Sequence, residues 1–459
     1  MKRVFYIFLT LAFVFSACGK TPVEKTPDDN QGQEQNDSTS NEEPLPPAPP
    51  VAEPMYSPEG SIENDIVYAF MSYGPYEKFG AKSYFYDPVV KATAELYKWK
   101  ADDPKAITVT WDGDDTEYKV SISTPEGLWY EEDVTGNKYS FKNLIPGVTY
   151  SYTVTSQGTP VKDGSFTPTG QVRMVDIPCT WNYRDQGGWT GLQGKKVRYG
   201  QVYRGGCLNG IFNGKDGSND VYDRSKWECP DSMRTAIARI GIKAELDLRG
   251  DLDDLGLWGD EHSAHGNTLR GTWFEGVDFI QIMTDYGLYH PMQRSSLIKD
   301  MAWIIAELKK GNPVAYHCRS GADRTGALAI LVLGVLGVSD GDLARDYELT
   351  SISTEKKEKK LKLASDAINT SPDIFRDKQG IRALEGDTLQ EKIYRYLNQH
   401  FDDVHINADD LDWYIKFMLG LDSYEHPSWA KNYEDNALEK VWSIETGSGV
   451  HVWPDGADR

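Results

Sequence analysis

Apolar and polar residues alternate along ITVTWDGDD (107–115), EYKVSIST (117–124) and YSYTVTSQG (150–158). A period of two predicts half-buried strands. Turn signals separate them: Asp112-Gly113, Pro125-Glu126-Gly127, Gly136-Asn137 and Pro146-Gly147. Short strands at this spacing predict an all-β sandwich, assigned to residues 56–170, although 58–100 are aromatic and carry no clear period. From about residue 171 the texture changes. Met233, Ala236, Ile237 and Ile240 recur at helical spacing, with Asp231 and Ser232 to open the helix and Gly241 to stop it. IKAELDL (242–248), VDFIQIM (277–283) and NPVAYH (312–317) read as strands. Leu297, Ile298, Met301, Ile304, Ile305 and Leu308 line one face of a helix over 295–310, with Gly311 as its stop. Helices alternating with strands predict an α/β domain, a mostly parallel sheet flanked by helices. Such sheets bind ligands at the carboxyl ends of their strands.

The N-terminus follows a different logic. Lys2 and Arg3 precede an apolar run over 4–15, and the small pair Ser16-Ala17 precedes Cys18. This predicts a signal peptide over 1–17. A cysteine directly after the small pair resembles the bacterial lipoprotein signal. That resemblance implies lipidation of Cys18, a lipid bilayer as partner, and a place in the bacterial cell envelope, periplasmic or at the cell surface. Residues 18–55 are rich in Pro, Asp, Glu, Gln, Asn and Ser, and read as a solvated tether.

Composition narrows the function classes. The 459 residues carry 49 Lys+Arg against 70 Asp+Glu, a net charge of −21. Nucleic-acid backbones need a cationic surface, so a general nucleic-acid binder is excluded. Five cysteines are too few for a disulfide scaffold, though Cys179, Cys207 and Cys229 leave room for one bridge of unreadable pairing. His262 and His265, near Asp260 and Glu261, do not match a recognised metal-ligand spacing, and the reading calls for no metal and no cofactor.

The sharpest pattern is HCRSGADRTG at 317–326, where a predicted strand meets an apolar helix. Five residues between Cys318 and Arg324 suffice for a loop to curl around one tetrahedral anion, with its N–H groups turned inward. The helix N-terminus adds its positive end, a field that favours a thiolate. Arg324 can hold two phosphate oxygens in a fork. Gly321 permits close backbone approach, and Thr325 can set a hydroxyl near the sulfur. His317 supports the strand end. The segment resembles the cysteine-dependent phosphatase signature, His-Cys-x5-Arg-Ser/Thr. The resemblance implies phosphate binding by Arg319, Ser320, Gly321, Ala322, Asp323 and Arg324, with Cys318 as nucleophile.

NYRDQGGWTGLQGKKVRYGQVYRGG (182–206) resembles the opening of a bacterial tyrosine and dual-specificity phosphatase family, through Asn182, Arg184, Asp185, Gly187, Gly188, Gly200, Tyr203 and Arg204. Gly205 stands where serine is common. Asp247-Leu248-Arg249, DLARDYELTS (342–351) and DDLDWYIKFMLGL (409–421) fit as well, so the likeness covers about 171–421 and leaves 422–459 unassigned. The Asn-Arg-Asp-Gly-Gly run reads as a hydrogen-bonded structural turn, with Arg204 able to touch substrate. Trp111, Tyr118 and Leu144-Ile145-Pro146-Gly147-Val148-Thr149-Tyr150 resemble a fibronectin type III domain, read as a spacer or docking module.

The family implies attack by Cys318 on phosphorus and a cysteinyl-phosphate that water hydrolyses. Three aspartates compete as general acid: Asp285 after a strand, Asp247 at a neighbouring strand's end, and Asp323 inside the loop. Trp453-Pro454-Asp455 spells an acid-loop tripeptide of other tyrosine phosphatases, but follows the cysteine instead of preceding it and reads as coincidence. The expected substrate is a phosphorylated peptide or a small phosphomonoester. Inositol phosphates or phosphoinositides are the alternative, and a non-enzymatic surface lipoprotein is the third reading.

Overall fold

A computed structural model describes residues 52–72, 87–96, 101–113, 117–178, 180–206, 208, 211–212, 227–228, 231–248, 277–282, 296–318, 321–353, 381, 384–399, 405–434 and 451–452. Two helices come first, α1 (Asp65–Ser72) and α2 (Pro88–Leu96). The β region expected from residue 56 therefore opens on helices instead of strands. Asn64 starts α1, its Oδ1 accepting from the Val67 N–H at 3.0 Å. Ile66, Val67 and Phe70 recur on one face, and with Val90 and Ala94 of α2 they join the main apolar core of the α/β part.

Six strands follow: β1 (Ile107–Thr110), β2 (Glu117–Thr124), β3 (Gly127–Thr135), β4 (Lys138–Phe141), β5 (Tyr150–Ser156) and β6 (Thr159–Phe166). They form a four-stranded antiparallel sheet, β3-β2-β5-β6, and an antiparallel pair, β1-β4. Both contribute to one cluster of Trp111, Tyr118, Val120, Ile122, Phe141, Leu144, Tyr150 and Val154. Tyr118, Val120 and Ile122 lie two apart on β2 and all point inward, as alternation requires.

The α/β part contains β7 (Arg184–Asp185), β8 (Val202–Gly205), the short pair β9 (Ile211–Phe212) and β10 (Trp227–Glu228), α3 (Asp231–Ile240), β11 (Ala244–Asp247), β12 (Asp278–Ile282), α4 (Ser296–Lys310), β13 (Val314–His317), α5 (Asp323–Gly334), α6 (Asp340–Leu349), α7 (Leu389–Asn398), α8 (Ala408–Leu419) and β14 (His451–Val452). Its six-stranded sheet runs β14-β12-β11-β13-β8-β7. The pairings β14-β12, β12-β11, β11-β13 and β13-β8 are parallel, and β7 closes the edge antiparallel to β8. Among the pairings of these strands antiparallel ones outnumber parallel ones by six to four, and all four parallel ones belong to this sheet.

β11, β13 and β8 are buried at every position, which suits strands covered on both faces. α5 is buried from Arg324 to Gly334, so it is a central helix with no wet face. No helix among the described residues is long and apolar enough to cross a membrane.

The two parts are fastened by polar contacts. Arg173 donates to the Leu144 and Asn143 carbonyls at 3.1 and 2.6 Å, and to Asp185 Oδ2 at 2.8 Å. Asn143 exchanges two hydrogen bonds with the Asp176 backbone. Trp129 Nε1 donates to the Arg239 carbonyl at 2.7 Å, while the Arg239 guanidinium lies 4.2 Å from the Tyr130 ring centroid.

Candidate active site

β13 stands between β11 and β8, and Cys318 is the first residue past its carboxyl end. The thiol is buried and forms no disulfide. The backbone stays in register across this end, because the Leu248 N–H donates to the His317 carbonyl at 2.8 Å. Arg324 is the second residue of α5 and is almost wholly buried. Its Nη1 donates to the Leu248 carbonyl at 3.2 Å, so the side chain reaches back to the ends of the strands. Cys318 and Arg324 thus flank a loop set on the sheet's carboxyl edge, at the N-terminus of the central helix.

Gly321 shows how tightly that loop is seated. Its φ is +68°, and a Cβ there would lie 2.5 Å from the Gly205 carbonyl carbon and oxygen. Both the left-handed backbone and the contact with the end of β8 demand glycine.

The Gly321 carbonyl receives two donors, Asn182 Nδ2 at 3.1 Å and Arg204 Nη2 at 2.9 Å. Arg204 also donates to Asp346 Oδ2 at 2.6 Å, and Arg184 donates to Asp346 Oδ1 at 2.9 Å. Arg184 holds Asn182 Oδ1 at 2.6 Å as well. All four side chains are buried. Burial alone raises a carboxyl, but Arg184 and Arg204 outweigh it and hold Asp346 below the ordinary aspartate range. Burial, and then the neighbouring Arg204, push Arg184 down to about 10 against the pull of Asp346. Among these three ionisable side chains, two guanidiniums share one carboxylate. The support under the loop therefore carries excess positive charge in a low-dielectric setting, which favours an anion above it.

The other flank is acidic. His317 Nε2 meets Glu245 Oε1 at 2.6 Å, and His317 Nδ1 meets the Cys318 carbonyl oxygen at 3.1 Å. A carbonyl only accepts, so the contact with the Cys318 oxygen is a hydrogen bond in the tautomer that carries its proton on Nδ1. Asp247 pairs in register with His317 across β11 and β13, with Oδ1 3.8 Å from Nδ1. Both carboxylates are buried.

Of the residues expected from the sequence, His317, Cys318, Gly321, Ala322, Asp323, Arg324, Thr325 and Asp247 are described here, around one strand end and one helix start. Ala322 and Thr325 are buried, and Asp323 in the first turn of α5 is half-buried. Arg319, Ser320, Asp285 and Cys18 lie outside the described residues, as do Cys179, Cys207, Cys229, His262, His265 and Trp453-Pro454-Asp455.

The Asn-Arg-Asp-Gly-Gly run was expected to be a hydrogen-bonded structural turn, with substrate contact by Arg204 as the lesser alternative. Arg204 is fully buried and bonds the loop carbonyl, so its observed task is to hold the loop. Sequence reasoning missed the partnership of Asp346 with two arginines and of Glu245 with His317. The signal for Asp346 was present, since the Asp-Tyr-x-x-Thr segment had been matched, but nothing local says which cations it meets.

A profile described as the tyrosine phosphatase family matches residues 175–434. A tyrosine-protein phosphatase of Nostoc commune is 29% identical over 136 residues, covering 26% of this chain and 44% of that protein. The chain thus spans under half the length of this curated relative.

Proposed function

Because the chain belongs to the tyrosine phosphatase family, we propose that it hydrolyses phosphomonoesters of the phosphotyrosine type through a cysteinyl-phosphate on Cys318. The observation that carries this reading is the placement of Cys318 and Arg324 on either side of a loop that rests on buried Arg204 and Arg184. The Cys318 thiolate attacks phosphorus, an S–P bond forms, and the P–O bond to the leaving group breaks. An aspartic acid protonates the departing oxygen. Water then attacks the thiophosphate, giving a proton to the same carboxylate, and the thiolate leaves with release of inorganic phosphate. Loop amides and Arg324 stabilise the equatorial oxygens in both steps.

Asp247, Asp285 and Asp323 are the candidates for the acid. Asparagine at the true acid slows substrates with poor leaving groups far more than p-nitrophenyl phosphate, so the three variants sort themselves by that ratio. For the main claim, Cys318→Ser abolishes turnover, by at least about 1,000-fold, while inorganic phosphate still binds. Turnover near wild type in Cys318→Ser refutes the assignment. A panel of phosphotyrosine peptide, inositol hexakisphosphate and phosphoinositide separates protein from inositol substrates.

The placement reading belongs to the same proposal. Lys2, Arg3, the apolar run and Ser16-Ala17-Cys18 support an exported, lipid-anchored protein with residues 18–55 as tether. Wild type is expected in the membrane fraction, released by detergent and not by salt, and Cys18→Ala in the soluble fraction. Equal amounts of both forms in the cytoplasm refute it. The two antiparallel sheets over 107–166 supply the strands for a fibronectin type III-like sandwich, read as a docked module without catalytic groups.

A further inference from the structure

We propose that Asp102, which lies before the family-matched region, is a positioning residue of the phosphate-binding loop. The inference rests on the phosphatase reading of that loop. Asp102 is buried, and its Oδ1 accepts from the Asn182 backbone N–H at 2.8 Å and from the Ser353 hydroxyl at 2.6 Å. The turn that carries it is pinned to the start of α1, because Asn64 Nδ2 donates to the Ala101 and Asp103 carbonyls at 2.9 and 2.7 Å.

Asn182 has a φ of +59°, left-handed backbone more open to asparagine than to most side chains and fixed here by the constraint of its contacts. The Asp102 carboxylate on its N–H supplies part of that constraint. Held there, Asn182 sends Nδ2 to the Gly321 carbonyl at 3.1 Å and to Thr350 Oγ1 at 3.2 Å. A trans peptide points its C=O and its N–H in opposite directions. Fixing the Gly321 carbonyl toward Asn182 and Arg204 therefore turns the Ala322 N–H to the opposite face of the loop. An N–H aimed that way is one of the donors an incoming phosphate oxygen requires. The line runs from Asp102 through Asn182 to Gly321 and the Ala322 amide, across three distant parts of the chain. Asp102 touches no substrate in this scheme, and its effect appears in how well the loop binds an anion.

The test uses the full chain with inorganic phosphate as probe, read as competitive inhibition of p-nitrophenyl phosphate turnover and as a phosphate-induced rise in melting temperature. Asp102→Ala is expected to weaken phosphate about tenfold and to raise KM more than it lowers kcat. Asp102→Asn keeps an acceptor oxygen and is expected within threefold of wild type. Asn182→Gly keeps the backbone N–H and the left-handed φ but deletes the amide, and is expected to match Asp102→Ala. Because the two act in series, the double variant is expected no weaker than either single one. Asp102→Ser, whose hydroxyl oxygen sits on Cβ and so reaches one bond less far than a carboxylate oxygen, carries the same test where Asp102→Ala does not fold. Phosphate affinity and KM within twofold of wild type in the folded Ala or Ser variant overturn the proposal, and so do additive losses in the double variant. A wild-type chain that fails to turn over p-nitrophenyl phosphate refutes the phosphatase reading instead, while the melting shift still reports on Asp102.

Discussion

The β region and the α/β region solve the same packing problem with different materials. Among the described residues of 107–166 every buried side chain is apolar or aromatic, and Trp111 and Tyr118 meet edge to face at 5.3 Å. The α/β region instead buries Arg173, Arg184, Arg204, Arg324, Glu245, Asp247, His317 and Asp346. Buried charge is costly unless paired, and a core of rings stabilises as well without it. Of these, all but Arg173 belong to the elements around the end of β13, whereas the buried Asp300, Glu307, His405, Asp410 and Asp412 lie elsewhere. The difference is one of materials: one region packs rings without buried charge, and the other accepts the cost of burying charge around the proposed anion site.

Four substitutions test that contrast. Asp346→Asn leaves Arg184 and Arg204 buried together without their carboxylate, which costs about 3–5 kcal/mol. A fall in melting temperature of about 10 °C is expected, with loss of phosphate binding. The sign with pH follows from a folded pKa below the unfolded one. Asp346 stabilises fully above about pH 4, and that contribution is lost as pH falls through its lowered value. The gap between wild type and variant should therefore shrink in acid, and a gap that widens there contradicts the assignment.

Phe141→Ala opens a cavity in the ring cluster and costs about 3 kcal/mol. Since that region holds no catalytic group, kcat/KM of the folded variant is expected within threefold of wild type, measured well below its melting temperature. A tenfold loss would mean that the two regions are not separable in function.

Trp129→Phe removes the N–H bonded to the Arg239 carbonyl at the seam and costs about 1 kcal/mol. Calorimetry should show one transition in wild type and a broader or split one in the variant. An unchanged single transition indicates that the Arg173 and Asn143 contacts suffice to couple the regions.

Glu63→Gln has the smallest effect. Burial raises the Glu63 carboxyl, against the opposing bonds from the Val172 and Gln171 N–H groups. A raised folded pKa means stability present below about pH 4.3 and lost as pH rises through the raised value. The variant is expected to match wild type at pH 4 and to melt about 1–3 °C higher at pH 8. Equal melting temperatures at both values refute this.

The contrast also explains what was legible in the sequence. Local signals were sufficient where neighbours in the chain decide the outcome. Gly241 and Gly311 end α3 and α4 with positive φ, and the strand before Cys318 and the helix after it lie where the pattern puts them. α1 and α2 escaped notice because each has only two or three turns and packs against residues far along the chain. The placement of Cys318 at a strand end and of Arg324 at a helix start was legible within one decapeptide. Its support was not. Arg184 and Arg204 find Asp346 across 162 and 142 residues, and periodicity carries no information at that range. The Asn-Arg-Asp-Gly-Gly run read as a hydrogen-bonded structural turn, but whether Arg204 met substrate or the loop stayed open because an arginine's partner is set by tertiary packing.

The dispersal of these supports also sets an order of events. The Gly321 carbonyl is held by residues 182 and 204, which are held in turn by residues 102 and 346, so the loop draws on chain segments on both sides of Cys318. Contacts so distant in sequence form late, because closing long loops must precede any gain from them. A chain emerging N-terminus first exposes the cysteine before Asp346 exists to balance the arginines. On the proposed reading, Cys318 becomes competent only once the α6 segment has been delivered and folded, and a truncated or half-folded copy carries the decapeptide without the support beneath its loop.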